Sequence, residues 1–311
     1  MSLGDPPPAI ERPEGGFAQS SSAVTYVPRP ARRPALSAAR PSGRRAEETR
    51  SCNLRVGAVP NAAGSAYIEQ GNTKIIASVY GPRQAVERGA QGGAEGLLLL
   101  DLQFAPFSSR ASREENEKRG VLYTGMLQTA LESVVLLDRY AKTAFDVTLL
   151  VLEDDGAVLT AGLAAASLAL ADAKVEMRDL VAGASVHLVA AGASGPGPVS
   201  GTILLDCDGQ EEKELPEGSA VLHLGLCPSR GVLCLLHSAG PLPAGPFEQM
   251  VLLAKDTAEA VGAEMRSCLE RRVENRVAKR ARLGTSPADS AGLAADVVMD
   301  TSATPVDDGY E

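Results

Sequence analysis

An α+β fold, with helices packed on mixed sheets, is predicted by three observations. Apolar patterning runs in the order strands, helix, strand, helix, strands, helix, which suits segregated sheets and helices. Glycine-containing turn pairs such as Gly71-Asn72 join strands at hairpin spacing, because glycine reaches positive φ without steric cost. Neither GxGxxG nor GxxxxGK followed by Ser or Thr occurs, so a doubly wound nucleotide-binding architecture loses its main support.

The elements follow from local pattern. Residues 1 to 43 are rich in Pro, Gly, Ser and Arg without periodicity and read as a disordered basic arm. Strands are expected near 52–59, 64–69 and 74–80, with the Gly81-Pro82-Arg83 corner ending the third. A Gly-rich loop over 84–96 precedes an apolar strand from Leu97 to Phe104, and a charged loop is expected over 105–119. Leu122, Met126, Leu127, Ala130, Leu131, Val134 and Val135 recur at helical spacing. Asp146 to Leu152 reads as a buried strand, and the segment after Gly156 as a helix apolar nearly all round. Such a helix belongs at the centre of a domain. Leu180 to Val189, Ile203 to Asp206, Ala220 to Leu226 and Gly231 to His237 read as further strands. Pro246 lies near the start of a last amphipathic helix carrying Phe247, Met250, Val251, Ala254, Ala258, Val261, Met265 and Leu269. One folded unit is therefore expected over 44–273, with a disordered tail over 274–311.

Composition narrows the function classes. Trp is absent among 311 residues, so Leu, Val, Ala and Ile must build the core. No apolar run approaches the roughly 20 residues that cross a bilayer, and residues 1–16 lack the apolar stretch of a secretory signal. Five Cys without tight spacing argue against a disulfide framework and for a reducing compartment. A net charge of −9 argues against a generically basic nucleic-acid binder, although a local basic patch still binds RNA. Arg29, Arg32, Arg33, Arg40, Arg44 and Arg45 form one basic cluster, and Arg110, Arg113, Lys118 and Arg119 a second. Each is alternatively a solvated surface residue.

Several segments, in order, resemble the RNase PH family of phosphate-dependent 3′-to-5′ RNA-degrading enzymes and their relatives in the RNA exosome ring. They are the hairpin from Gly64 to Arg83, Arg40-Pro41-Ser42-Gly43-Arg44-Arg45, Ala105-Pro106-Phe107, Ser167 to Ala173, Met177 to Val181 and Ile203 to Asp206. The similarity spans residues 40 to 272 and implies an RNase PH-like core of the ribosomal protein S5 domain 2-like kind. Among ring subunits the wording is most similar to the mRNA transport regulator three type.

The resemblance also implies a site that this chain does not reproduce. Active members place an Arg in a D-x-G-T-R turn before the central helix, where it grips phosphate. The matching position here is Leu159, in Asp155-Gly156-Ala157-Val158-Leu159. Active members also carry two Asp six residues apart ahead of a Met-Pro pair. Counting back from Cys227-Pro228, the second falls on Val221, or on Ser219 or Ala220, and the first near Lys213, Glu214 or Leu215. Asp206 matches an acidic family position but alone reads as structural. The implied function is a non-catalytic structural and RNA-guiding subunit of the exosome ring, in nucleus, nucleolus and cytoplasm. Its implied partners are other RNase PH-like ring subunits, cap subunits and RNA, with no membrane, no small-molecule substrate, no cofactor and no metal. The alternative is an active phosphate-dependent 3′-to-5′ exoribonuclease with altered site residues.

Three further constellations are weighed on the residues. Arg83, Arg110, Arg113 and Arg119 are the candidates for RNA backbone contact, with Arg83 placed beside the charged loop. His223, Cys227, Cys234 and His237 include a zinc-type donor set, but without knuckle spacing, and core or surface roles fit better. Lys279-Arg280-Ala281-Arg282 reads either as a nuclear-import patch or as helix-end charge.

Overall fold

The computed structural model describes residues 25–26, 40, 42–84, 96–109, 111–190 and 201–282. Two sheets enclose a central helix. The first sheet is built from β1 (Thr25–Tyr26), β2 (Cys52–Val56), β3 (Gly64–Gln70), β4 (Thr73–Gln84), β5 (Leu97–Phe104) and β6 (Thr143–Glu153), in the order β1-β2-β3-β4-β6-β5. Its pairs are antiparallel except β5 with β6, which run parallel through the crossover helix α1 (Arg113–Glu132). The second sheet joins β7 (Ala182–Ala190), β8 (Gly201–Leu205), β9 (Ala220–Cys227) and β10 (Val232–Ala239) in the antiparallel order β10-β9-β7-β8. The central helix is α2 (Val158–Asp172), the short α3 (Gly209–Lys213) follows β8, and α4 (Ala244–Arg282) closes the chain's described part. The α+β expectation is therefore what the molecule shows.

The β3–β4 hairpin forms where its turn residues place it. Gln70 pairs with Thr73 across a two-residue loop, and Gly71 takes φ 59° at its first position, the conformation a tight hairpin asks for there. Alternation then turns Ala66, Ile68, Ile75, Ala77 and Val79 into the core. The strand does not end at the Gly81-Pro82-Arg83 corner. It shifts register between Tyr80 and Arg83 and continues along β6 to Gln84, with a cis Gly81–Pro82 bond in the irregular stretch.

Helix α2 is buried on every side, with Leu159, Leu163, Leu168 and Leu170 almost fully enclosed, as an all-apolar helix requires. Both sheets approach it closely. A methyl group at Gly183 would lie 2.8 Å from the Thr160 side chain, and one at Gly64 would lie 2.1 Å from the Ala173 backbone nitrogen. Glycine is needed at both contacts because the backbones themselves touch.

Helix α1 begins at Arg113, inside the segment expected as loop. Ser112 caps it by accepting a hydrogen bond from the Glu115 backbone N–H at 3.2 Å, and Glu114 and Glu115 suit the positive end of the helix dipole. Leu127, Ala130 and Leu131 carry its buried face, whereas Leu122 is 53% exposed. Helix α4 buries Met250, Ala254, Ala258 and Met265 and runs nine residues past the expected domain end at 273. The side chains of Lys279, Arg280, Ala281 and Arg282, like Arg29, Arg32, Arg33 and the tail beyond 282, lie outside the described residues. Among the described residues no helix is long and apolar enough to cross a membrane.

Candidate functional site

A cleft of about 450 Å³ opens at the N-terminus of α2, bounded by α1, the segment after α3 and the face of the second sheet. Sequence positions far apart meet there. Arg119 and Tyr123 come from α1, Val158 from α2, His187 from β7, Glu212 from α3, and Val221 and His223 from β9. A broader groove continues from it past Lys74, Phe107 and Lys213, sharing Arg119, Tyr123 and Glu212.

The positions expected to have lost their chemistry are Leu159, the segment Ser219 to Val221 and the stretch Lys213 to Leu215. Leu159 is 1% exposed and packs in the core, so no group at the cleft replaces a phosphate-gripping guanidinium at that point. Val221 lines the cleft, opposite His187 in the β7–β9 register, and supplies no carboxylate. Glu214, the candidate for the first acid, is exposed at the end of α3 and does not line the cleft. The nearby acid that does is Glu212, beside Gly156 in the turn that opens α2. Helix N-termini are natural anion sites, and here a carboxylate of the chain itself already occupies part of that end. Burial pushes the Glu212 carboxyl up to about 7, against the hydrogen bond from Ala157, with the charge of Asp154 adding to the rise.

Arg119 does not present a free charge to the cleft. Its Nη1 bonds Asp154 Oδ2 at 2.8 Å, and its guanidinium lies 5.0 Å from the centroid of the Phe104 ring and 5.7 Å from that of Tyr123, within cation–π range. Burial works against this charge, but the Coulomb attraction and hydrogen bond of Asp154 outweigh it and hold the guanidinium above its ordinary pKa.

The second sheet contributes all three histidines of the chain. His223 pairs directly with His237 across β9–β10, and their rings stack at 6.1 Å. His187 pairs with Val221, two residues before His223, so the three imidazoles share one face of the sheet. His187 is 2% exposed, and neither ring nitrogen has a hydrogen-bond partner; Nδ1 of His223 is likewise unpartnered. Burial lowers His187 to about 4 and His223 to about 3. Glu212 Oε1 lies 3.7 Å from His187 Nε2. With a neutral imidazole at that separation, this contact is not an ion pair at neutral pH.

Asp206 lies outside the cleft. It is 2% exposed and clamps Arg50, accepting from Nη2 at 2.7 Å, Nε at 3.1 Å and the Arg50 backbone N–H at 2.8 Å. Arg50 in turn reaches the carbonyls of Asp155 and Gly156, so one buried pair ties the second sheet to the turn that opens α2. Burial pushes the Asp206 carboxyl up, and the charge and hydrogen bonds of Arg50 reverse this to hold it below the ordinary range. Arg40 and Arg44, expected among the solvated basic residues, extend the same clamp. Arg40 is 6% exposed and donates to the Leu205 carbonyl, and Arg44 donates to the Asp206 carbonyl at 3.0 Å. Arg50 went unnoticed in the sequence because its partner lies 156 residues away.

Two of the arginines named for RNA, Arg83 and Arg119, lie at opposite ends of β6. Arg83 sits beside the start of β6, paired with Asp146, while Arg119 reaches Asp154 just beyond that strand's other end. Eight residues of strand separate the two aspartates by about 26 Å. The placement of Arg83 beside the charged loop is thus corrected. Arg113 is exposed at the start of α1 and pairs with Glu117 at 2.8 Å, and Arg110 lies outside the described residues. His223 and Cys227 are four residues apart on one strand, about 13 Å. Among the described residues no group of three or more His, Cys, Asp or Glu is arranged to hold a metal ion.

A two-sheet α+β domain with a cleft at the head of its central helix defines the class, and the comparisons supply the family. The fold matches the crystal structure of rice (Oryza sativa) Rrp46 with a TM-score of 0.61, at 22% identity, over 74% of this chain and all of that one. The RNase PH model, described as the 3′ exoribonuclease family, domain 1, matches residues 48–176. The chain is 36% identical over 229 residues to the exosome complex component Rrp41 of Pyrococcus furiosus, covering 73% of this chain and 86% of that protein. It is 35% identical over 233 residues to the Rrp41 of Methanopyrus kandleri, with 73% and 90% covered. This chain belongs to the RNase PH family.

Proposed function

We propose that this protein is a non-catalytic structural and RNA-guiding subunit of an RNA exosome ring, supporting 3′-to-5′ RNA processing and degradation. The observation that carries the reading is the cleft's inventory. Leu159 is buried where a phosphate-binding Arg is expected, Ser219, Ala220 and Val221 line the cleft without the carboxylate expected there, and Glu212 lines it at the head of the central helix. Phosphoryl transfer depends on positioned charge around the phosphate, and an acidic group at that end opposes it. Purified protein incubated with oligo-RNA and inorganic phosphate is expected to release no nucleoside diphosphate.

The partners in this reading are other RNase PH-like subunits, cap subunits and RNA, consistent with relatives that are exosome components. Affinity purification with mass spectrometry tests them, and recovery of the chain without such subunits would count against the reading. Arg113 is exposed enough to meet an RNA backbone. Charge reversal at Arg110 and Arg113 is expected to weaken RNA binding by the assembled ring and reduce its salt slope. The working compartments are the nucleus, including the nucleolus, and the cytoplasm; imaging of the tagged protein tests this. The second reading, an active phosphate-dependent exoribonuclease with altered site residues, is favoured by one observation. Glu212, at about 7, lines the cleft, so it offers an acid for a displaced mechanism. Diphosphate release that is lost in Glu212→Gln would favour it.

A further inference from the structure

The cleft lacks the charges of a phosphate site, yet it contains polar atoms that need a partner. His187 is 2% exposed and lines the cleft with Nδ1 and Nε2 both unsatisfied, and His223 adds an unsatisfied Nδ1. Buried polar groups left without hydrogen bonds are costly and rare. A neutral imidazole offers one N–H donor and one acceptor nitrogen, so the two rings ask for a ligand edge that both accepts and donates. The surrounding charge disfavours an anion. Glu212 and Glu217 line the cleft, and Arg119 is neutralised by Asp154 at 2.8 Å. Tyr123 lines the same cleft.

We propose that this cleft binds an uncharged nucleobase of an RNA chain through His187 and His223 and turns phosphate away. The proposal rests on the RNA-guiding reading and gives that reading a specific contact. A base carries adjacent donors and acceptors on its edge and a π-face for an aromatic wall. It also carries no charge to oppose Glu212 and Glu217.

The test uses the full chain, labelled at its histidine rings, titrated by NMR with adenosine, with uridine and with inorganic phosphate. Saturable shifts of the His187 and His223 ring nitrogens are expected with at least one nucleoside, and none with phosphate at equal concentration. His187→Phe keeps ring bulk and removes both nitrogens, and is expected to weaken nucleoside binding about tenfold, the loss of one or two buried hydrogen bonds. Should His187→Phe fail to fold, saturation transfer from the wild-type His187 ring to the nucleoside is the deciding measurement, and its absence overturns the proposal. A response to phosphate equal to or greater than that to nucleosides, or full nucleoside binding by folded His187→Phe, also overturns it. A chain that binds RNA in the ring but no nucleoside sinks this inference alone. A chain that binds nucleoside but no RNA keeps the cleft assignment and sinks the RNA-guiding reading.

Discussion

Two polar clusters flank the turn that opens α2, and they differ in how completely they are satisfied. On one side, Asp206 and Arg50 bury a charge pair in which the carboxylate accepts from Nε, Nη2 and a backbone N–H of the same arginine. On the other, His187 and His223 sit in a cleft with three ring nitrogens unpartnered. A closed network of this kind fixes the relation of the two sheets and leaves no capacity for a ligand. An open one costs stability and retains that capacity. Asp206 thus acts within a buried structural clamp.

The comparison breaks most sharply at Leu159. Leu159→Arg restores the residue type of an active member but places a cation at a site that is 1% exposed. An unpaired buried charge costs several kcal/mol, so the variant is expected to unfold or melt far below wild type, and to gain no phosphorolysis. Asp206→Ala comes next. It removes the nearest counter-charge of buried Arg50, with an expected loss of about 3–5 kcal/mol in denaturant unfolding; a loss under 1 kcal/mol would show that the clamp is not the structural tie described. Gly183→Ala follows, because its methyl would lie 2.8 Å from Thr160. Overpacking of this sort costs about 1–3 kcal/mol and is read from the same unfolding curves.

The smallest expected effect is a pH dependence confined to the cleft. His187 and His223 titrate at about 4 and about 3 in the fold, below the ordinary 6.5. Depressed folded values mean that their stabilising contribution is full above pH 6.5 and is lost as pH falls toward 4 and then 3. Glu212 has the opposite sign. Its value, raised to about 7 from 4.5, makes its contribution full below pH 4.5 and lost as pH rises through 7. In His187→Phe, melting temperature is expected to fall less steeply between pH 6.5 and 4 than in wild type. An unchanged slope would show that His187 is not the buried neutral group assigned here.

Much of the scaffold was legible because its signals are local. The Gly71 turn, the alternation through Ile75, Ala77 and Val79, and the all-round apolar α2 each carry their reason within a few residues. Two helix starts differ from the loops expected there, although their signals stand in the sequence. Ser112 with Glu115, and Asp208 with Glu211, are cap-and-third-position pairs, but their polar surroundings read as loop. The site was legible only as expected losses, at Leu159 and within Ser219 to Val221. Its positive content depends on β7, β9 and α3 converging, and no spacing along the chain announces that His187 will meet Glu212 and His223.

The central claim is that this family member holds a cleft without phosphate chemistry. ³¹P NMR of the purified chain with oligo-RNA and inorganic phosphate tests it directly, and the same spectrum on the assembled ring extends it. The account predicts that the inorganic phosphate signal persists and no nucleoside diphosphate resonances grow. Steady growth of those resonances, abolished by Glu212→Gln, would contradict it.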